Sequence, residues 1–524
     1  MNELDFTNDY RNSSWLSKIT YFWTNRLIAH SKKNKKIDDK ANLIAMSKDW
    51  DTEVLSNSID KRIHDEINKN SEFKAKDKIG RIVAKTFVKE ILFMVSTTVF
   101  ADSLAILNAF LISFFIAWLK DENAENWPGY LYALLFSSIT IVASYARNLY
   151  MFFSSAFGVA VRKGISGVLY RKILRFNQKS KAIATSGKLV AIVSGELQLI
   201  ERGMLSVNSI ISAPIQLVFT CILLSFSFKE AVLLGFLVGL IVIFIMYVGS
   251  GFIKKFKYNE GFHSDKRLKV ISDIINGIRT IKAYAWEIPF YKLVNKHRSK
   301  MVANTRKHEM TESLMWGFSI GGGYLMALAI FGYHYAMDRK FNYEDSVAAI
   351  GVLGISSFLI FGQIFMAINV IKIFFAVLKR VGEVLDMEEL DSNGFKDQIT
   401  GMPEDTRIHL NNTSFTWGFS VKKDKNTAKS KIDDNSRDIN LKNIDFSANS
   451  SDLVAVVGEV GSGKSTFLSA VMKELELLDG SIKVNGKIAY VEQEPFIISG
   501  TLKQNILFGD KFDQDKFNKV VEVC

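Results

Sequence analysis

Six apolar blocks limit what this chain can become. Phe87 to Leu119 and Tyr130 to Val161 each run past thirty residues with few charges. Leu205 to Phe228 and Ala231 to Ile253 follow as a pair joined by the short turn Ser-Phe-Lys-Glu, and Leu314 to Met337 and Ser346 to Leu378 make a third pair. A hydrocarbon layer about 30 Å thick needs some 20 apolar residues in a helix, so each block is long enough to span one. Only five prolines occur in 524 residues, which suits long helices, because proline removes an amide donor and clashes with the preceding turn.

Loop charge gives the expected orientation. The connections after the first, third and fifth blocks are short and mixed or acidic (KDENAEN, SFKE, DRKFNYED). Those after the second and fourth are long and basic (VRKGISGVLYRKILRFNQKSK and KKFKYNEGFHSDKRLK). The positive-inside rule places the long connections, and with them both termini, in the cytosol. The net charge of +12 is then mainly a topology signal and not a nucleic-acid footprint. Helical periodicity continues past the apolar blocks, as in LKVISDIINGIRTIKAYAW, and would carry the helices down to short turns able to touch a cytosolic domain. Two cysteines, Cys221 and Cys524, cannot build a disulfide framework. The N-terminus lacks a basic region followed by an apolar one, so no cleaved signal peptide is expected.

Residues 1–40 contain Trp15, Ile19, Phe22, Trp23 and Leu27 at helical spacing ahead of SKKNKK, the pattern of an amphipathic helix lying in the interface. Residues 41–85 read as a polar cytosolic linker, residues 86–385 as the membrane domain and residues 386–405 as a second linker. Ionisable residues inside spans are costly and default to a functional reading. Asp102, Arg147 and Lys372 are the principal cases, with Gln216, Gln363 and Asn369 behind them. They either line a cargo cavity or pair with one another to hold the bundle; the sequence leaves both open.

After Lys379 the composition turns soluble. Strands are expected at IHLNNTSFTW, KNIDFSAN, LVAVVG, SIKVNG and KIAYVEQ, and a helix from Ser465 to Glu476. Gly458-Glu459-Val460-Gly461-Ser462-Gly463-Lys464-Ser465, with Thr466 next, satisfies G-x-x-x-x-G-K-[ST] between an apolar strand and a helix. Such a loop turns its backbone amides onto phosphates, with the helix N-terminus adding a favourable dipole. Lys464 would reach the β- and γ-phosphates, and Ser465 would give a hydroxyl to Mg²⁺. Trp417, at a strand end, could stack on an adenine face, and Gln493, after a strand, could reach Mg²⁺ or a water. The Lys-rich stretch 422–438 between the first strands is either a regulatory insertion, with Ser430 and Ser436 as modifiable hydroxyls, or a solvated loop.

The segments VAVVGEVGSGKSTFLSAVM and IAYVEQEPFIISGTLKQNILFG resemble the first nucleotide-binding domain of ATP-binding-cassette transporters of the C subfamily, the multidrug-resistance-associated proteins. DKRLKVISDIINGIRTIKAYAWE, SGKLVAIVSGELQLIE and LKRVGEVLDMEE resemble that subfamily's membrane domain, so the likeness runs from Trp15 onward. It implies a membrane protein with a six-helix, exporter-type (type IV) transmembrane domain followed by an incomplete α/β P-loop nucleotide-binding domain over residues 406–524. It further implies ATP and Mg²⁺ as cofactors, Trp417 as the adenine-stacking aromatic, and Gln493 as the glutamine that senses Mg²⁺–ATP.

No Ser-Gly-Gly-Gln sequence, strand-end Asp-Glu pair or switch histidine follows Gln493. The chain is therefore expected to be the front half of an exporter, cut short within its nucleotide domain and not catalytic alone. The resemblance implies export of an amphipathic organic anion or conjugate by alternating access, in company with a second membrane-plus-nucleotide half. An ATP-gated channel of the same architecture and a non-catalytic fragment are the alternatives. The choice between the plasma membrane and a vacuolar or other endomembrane stays open.

Overall fold

The computed structural model describes residues 13–14, 17, 20–34, 51–69, 74–121, 125–184, 186–389, 405–418, 420–423, 430–433, 439–486, 488–493 and 496–523. They fall into two compact units. The first is helical and takes the described residues up to Phe176 together with Ala184–Met387; the second takes Asn177–Ile183 and the described residues from Glu388 onward.

The helices are α1 (Asn25–Asn34), α2 (Thr52–Lys69), α3 (Ala75–Thr86), α4 (Val88–Phe110), α5 (Ile112–Lys120), α6 (Trp127–Leu174), α7 (Gln178–Ile183) and α8 (Ser186–Val190). After a π-helical segment, Ala191–Glu196, come α9 (Leu197–Phe228), α10 (Ala231–Asn276), α11 (Ile278–Ala283), α12 (Glu287–Ala336) and α13 (Tyr343–Ser356). A second π segment, Ser357–Gly362, leads into α14 (Gln363–Leu385). Among the described residues, six stretches are long and apolar enough to cross a membrane: Val88–Lys120, Trp127–Leu174, Gly187–Phe228, Ala231–Asn276, Glu287–Ala336 and Tyr343–Leu385. At a rise of 1.5 Å per residue, a helix the length of α10 or α12 reaches roughly 70 Å, about twice the hydrocarbon layer. Much of each therefore lies outside it, as the periodicity beyond the apolar blocks implies.

Two apolar cores hold this unit together. One is built from α4, α9, α10, α12 and the α13–α14 run, around Ile106, Leu217, Met246, Ile330 and Phe361. Close approach depends on missing side chains: Gly323 of α12 lies against the Leu353 carbonyl and the Ser357 hydroxyl, leaving no room for a Cβ, and its amide donates to Ser357 Oγ at 2.9 Å. Small residues at helix contacts are the usual way to bring apolar helices together where lipid offers no hydrophobic drive. The second core lies around Val161, Leu197, Ile200 and Val377. It includes Leu55 and Ile59 of α2 and Ile79 and Val83 of α3. The stretch 41–85, read from composition as a linker, thus holds two packed helices, α2 and α3, with Arg171 of α6 hydrogen-bonded to Asn57 at 2.6 Å and ion-paired to Asp60 at 3.3 Å.

Trp15 and Ile19 of the expected interfacial helix lie outside the described residues. Tyr21 and Trp23 pack on Phe152 of α6 through ring contacts of 5.3 and 6.1 Å, and α1 begins at Asn25.

The soluble unit carries β1 (Thr406–Thr416), β2 (Ser420–Lys423), β3 (Ser430–Asp433), β4 (Ile439–Asn449), α15 (Lys464–Val471), β5 (Glu476–Val484), α16 (Leu502–Leu507) and α17 (Gln514–Val523). β1 is central and antiparallel to both β4 and β5, pairing Phe415 with Leu441 and Ile408 with Val484. The small core beneath is Leu410, Phe415, Ala470, Val471, Leu475 and Ile482. Within the Lys-rich stretch, β2 and β3 form an antiparallel hairpin; Ser430 begins β3, and Ser436 lies outside the described residues.

Two expected strands are absent among the described residues. LVAVVG and the described part of KIAYVEQ carry no regular secondary structure and join no described strand, and Leu453 is wholly exposed. A strand apolar on both faces needs neighbours on both sides, and no described segment pairs with 453–458. The helix expected to reach Glu476 stops at Val471, because Lys473 takes a left-handed backbone (φ 58°) and the chain turns into β5.

Candidate functional site

The phosphate-loop sequence sits at the N-terminus of α15, and two of its glycines carry the turn. Gly461 and Gly463 have φ of 87° and 96°, backbone that residues with a Cβ rarely adopt. A Cβ on Gly458 would come within 2.7 Å of Ser462 Oγ, so this position too is shaped for a bare backbone. Gly463 caps α15, and the first amides of the helix, those of Lys464, Ser465 and Thr466, have no carbonyl one turn back to accept them. The Lys464 ammonium donates to the carbonyls of Gly458 (2.8 Å) and Glu459 (2.7 Å), closing the loop on itself. Glu459 and Val460 are exposed at its tip, and Ser465 is exposed on the first turn of the helix. Left-handed glycines, free amides at a helix N-terminus and a lysine inside the loop are what a polyphosphate requires, and an exposed hydroxyl beside them suits Mg²⁺.

Trp417 stands just past the end of β1, half-buried against the soluble core. Its amide donates to Asn440 Oδ1 at 2.9 Å. The next residue, Leu441, pairs with Phe415 and lies within 3.4 Å of where a Gly463 Cβ would stand. The end of β1, the start of β4 and the phosphate loop are therefore neighbours, and Trp417 follows β1 at that end. Gln493 occupies an exposed bend, and among the described residues no hydrogen bond joins it to Ser465 or to the loop.

The short helix α7 belongs to this unit. Ser180 Oγ donates to the Glu388 carbonyl at 2.8 Å, Lys179 pairs with Glu388 at 3.2 Å, and Lys181 approaches Glu474 at 3.7 Å. The sequence anticipated short turns able to touch a soluble domain. Its basic character marked this one, but its partner, 200 residues downstream, could not be read.

In the helical unit, Asp102 of α4 is buried and receives Arg147 of α6, Gln216 of α9 and Gln363 of α14. Four of the six candidate spans thus meet on one carboxylate. The pairing leaves about a third of the Arg147 side chain exposed. Nearby, Asn208 of α9 donates to Thr98 Oγ1 of α4 at 2.6 Å. Lys372 lies on α14, its side chain outside the description, and Asn369 is half-buried one turn before. Sequence reasoning missed the pairs that tie the far ends of these helices, Arg162 with Glu201 (2.6 Å) and Arg380 with Glu196 (2.9 Å). Long separation hides such partners, and only the placement of opposite charges just past the apolar blocks hinted at them.

Residues 91–368 match the ABC transporter transmembrane region, and residues 441–522 match the ABC transporter nucleotide-binding family. Multidrug resistance protein mrp-7 of Caenorhabditis elegans is 25% identical over 98% of this chain, which covers 34% of that protein. ATP-binding cassette sub-family C member 2 of Mus musculus is 28% identical over 84% of the chain and 27% of its own length. Bile pigment transporter 1 of Saccharomyces cerevisiae is 28% identical over 98% of the chain and 34% of its own length. The chain spans about a third of the length of these relatives. A six-span helical unit matched over more than half the chain, followed by a phosphate loop in a matched nucleotide-binding region, places it: the chain belongs to the ABC transporter family, among relatives of the multidrug-resistance-associated C sub-family.

Proposed function

We propose that the chain supplies one transmembrane domain and one partial ATP site to an exporter of amphipathic organic anions or conjugates that works by alternating access. The observation that carries this reading is the glycine-shaped loop around Lys464, joined in one polypeptide to six candidate membrane spans. Bound ATP would supply the free energy that draws two nucleotide domains together, and its hydrolysis would release them. For the nucleotide, the amides from Gly461 to Thr466 hold phosphate oxygens. Lys464 exchanges its two loop carbonyls for the β- and γ-phosphates, and Trp417 stacks on the base. Ser465 and Gln493 are the side chains assigned to Mg²⁺.

On the membrane side, Asp102 orients Arg147, whose exposed edge, with Lys372, offers positive charge to an anionic cargo. The second membrane-plus-nucleotide half is a required partner in this reading. In this reading the nucleotide held at Lys464 is turned over once the second half closes on it and completes the site. Both termini and the basic loops face the cytosol.

Inside-out vesicles bearing the chain together with a second half test the proposal. ATP-dependent accumulation of a fluorescent anionic conjugate, lost on Lys464→Ala, is the expected result. An ATP-dependent current with no accumulation against a gradient would point to a channel instead.

A further inference from the structure

Outside both sites, α10 and α12 run antiparallel, with Gly235 against Ile330, Gly239 against Met326 and Gly249 against Met315. Each step along α10 is matched by a step back along α12, and the same register sets His263 opposite His297, ring centres 6.2 Å apart. His263 lies ten residues past the apolar end of α10, about 15 Å along the helix beyond the span.

Three nitrogens in this seam are buried without a hydrogen-bond partner: Nδ1 of His263, Nδ1 of His297 and Nε of Arg267, one turn beyond His263. Buried polar groups are almost always paired, and an arginine Nε can only donate. The charges acting most strongly on the His297 ring are all cationic: Lys266, His263, Lys296 and Lys300. Lys266 itself rests over the Phe262 ring at 4.2 Å. Asp265 is exposed, and Glu260 lies a turn nearer the membrane, half-buried. Unpaired nitrogens within concentrated positive charge call for an anion.

We propose that this seam binds a phosphate group, whether carried by a soluble phosphate compound or by a phosphorylated lipid headgroup. A terminal phosphate carries three acceptor oxygens, where a carboxylate carries two. Its oxygens accept from an imidazole Nδ1–H or an arginine Nε–H, and arginine matches phosphate geometry. The site is separate from the phosphate loop and does not depend on the export reading.

The test uses the full chain in phosphatidylcholine nanodiscs, in a Lys464→Ala background that weakens the phosphate loop, with pyrophosphate titrated by calorimetry. Binding at one site is expected, weakened at least tenfold by His263→Gln/His297→Gln and by Arg267→Gln. Arg267→Lys, which keeps the charge but loses the planar fork, is expected to fall between. Unchanged melting without pyrophosphate shows that each variant is folded, and His297→Gln alone serves if the double variant does not insert. Discs doped with phosphatidylinositol bisphosphate separate the sources. Loss of pyrophosphate binding there indicates that the headgroup fills the seam, and retention indicates a soluble phosphate compound; both support the site. No pyrophosphate binding in either disc, or binding within twofold of the background in all variants, overturns it.

Discussion

Asp386, at the end of α14, accepts the backbone amides of Ala75 at 2.6 Å and Lys76 at 2.9 Å, and so caps a helix that begins 311 residues earlier. The amides at a helix N-terminus have no partner within the helix, and Lys74, at the capping position of α3, offers no side-chain acceptor. Gly382 lies flat against the Lys76 backbone, and Lys76 pairs with Glu383 at 3.2 Å. The exit of the last span and the entry to the first are thereby fastened together.

Asp386→Ala should cost about 1 kcal/mol, the usual loss on removing an N-terminal cap, and lower the melting temperature of the chain in nanodiscs. Asp386→Asn keeps one acceptor oxygen and should lose less. Equal melting of the alanine variant and the parent would show that the cap contributes nothing.

Removing Arg147 while Asp102 stays buried should be far more harmful than replacing both. Breaking a buried pair from one side typically costs about 3–5 kcal/mol, whereas apolar replacement of both partners is often neutral. Arg147→Met is therefore expected to unfold or misinsert the helical unit, and Asp102→Leu/Arg147→Met to recover much of the loss. Thermal melting of the purified variants reads the difference. A double variant no better than the single one would mean that Asp102 is not held by this pair.

Glu66 of α2 is held below its usual carboxylate range first by a hydrogen bond from the Lys85 ammonium and then by its charge, with Lys69 and Lys78 adding. The folded pKa lies below the unfolded one, so the contribution is present above the ordinary value of 4.5 and is lost as pH falls through the folded value. Lys85→Met should melt below the parent at pH 7. That gap should close under acidic conditions, and it should shrink in high salt because the pair is exposed. A gap independent of pH would assign the effect to packing.

How far the fold could be read from sequence depended on how local each signal was. The apolar blocks needed no context, because twenty consecutive apolar residues have few other uses, and all six coincide with candidate spans. β1, β4 and the second half of β5, from Ser481, were legible from local composition, whereas the first half of β5 was not, Glu476 having been read as the end of a helix. The burial of α2 and α3 was not, because Leu55, Ile59, Ile79 and Val83 are scattered among charged residues whose partners lie on α6 and α14. LVAVVG carries a strand's composition but pairs with nothing described, since pairing is a property of two segments. In the site, the glycines and Lys464 announced themselves by spacing, and the members of the Asp102 network stood out as polar residues within spans, with pairing one of two open readings; the Asp386 cap joins residues that only folding brings together.

Gly463→Ala should fold poorly around the loop. A φ of 96° places a Cβ-bearing residue in the left-handed region at a cost of roughly 1–2 kcal/mol, a strain of the backbone itself, since the new methyl meets only Leu441 at 3.4 Å. Protease sensitivity of the soluble unit and weaker nucleotide binding should appear together. Normal binding and normal resistance would contradict the strain assigned to this position.

The most direct test of the nucleotide site is trinitrophenyl-ATP fluorescence on the purified full chain with Mg²⁺. Saturable binding is expected, reduced at least tenfold by Lys464→Ala and several-fold by Trp417→Ala, with melting of the helical unit unchanged. Binding indifferent to Lys464→Ala would contradict the assignment of Gly458 to Thr466 as the ATP cradle, and with it the reading of this chain as part of an ATP-driven exporter.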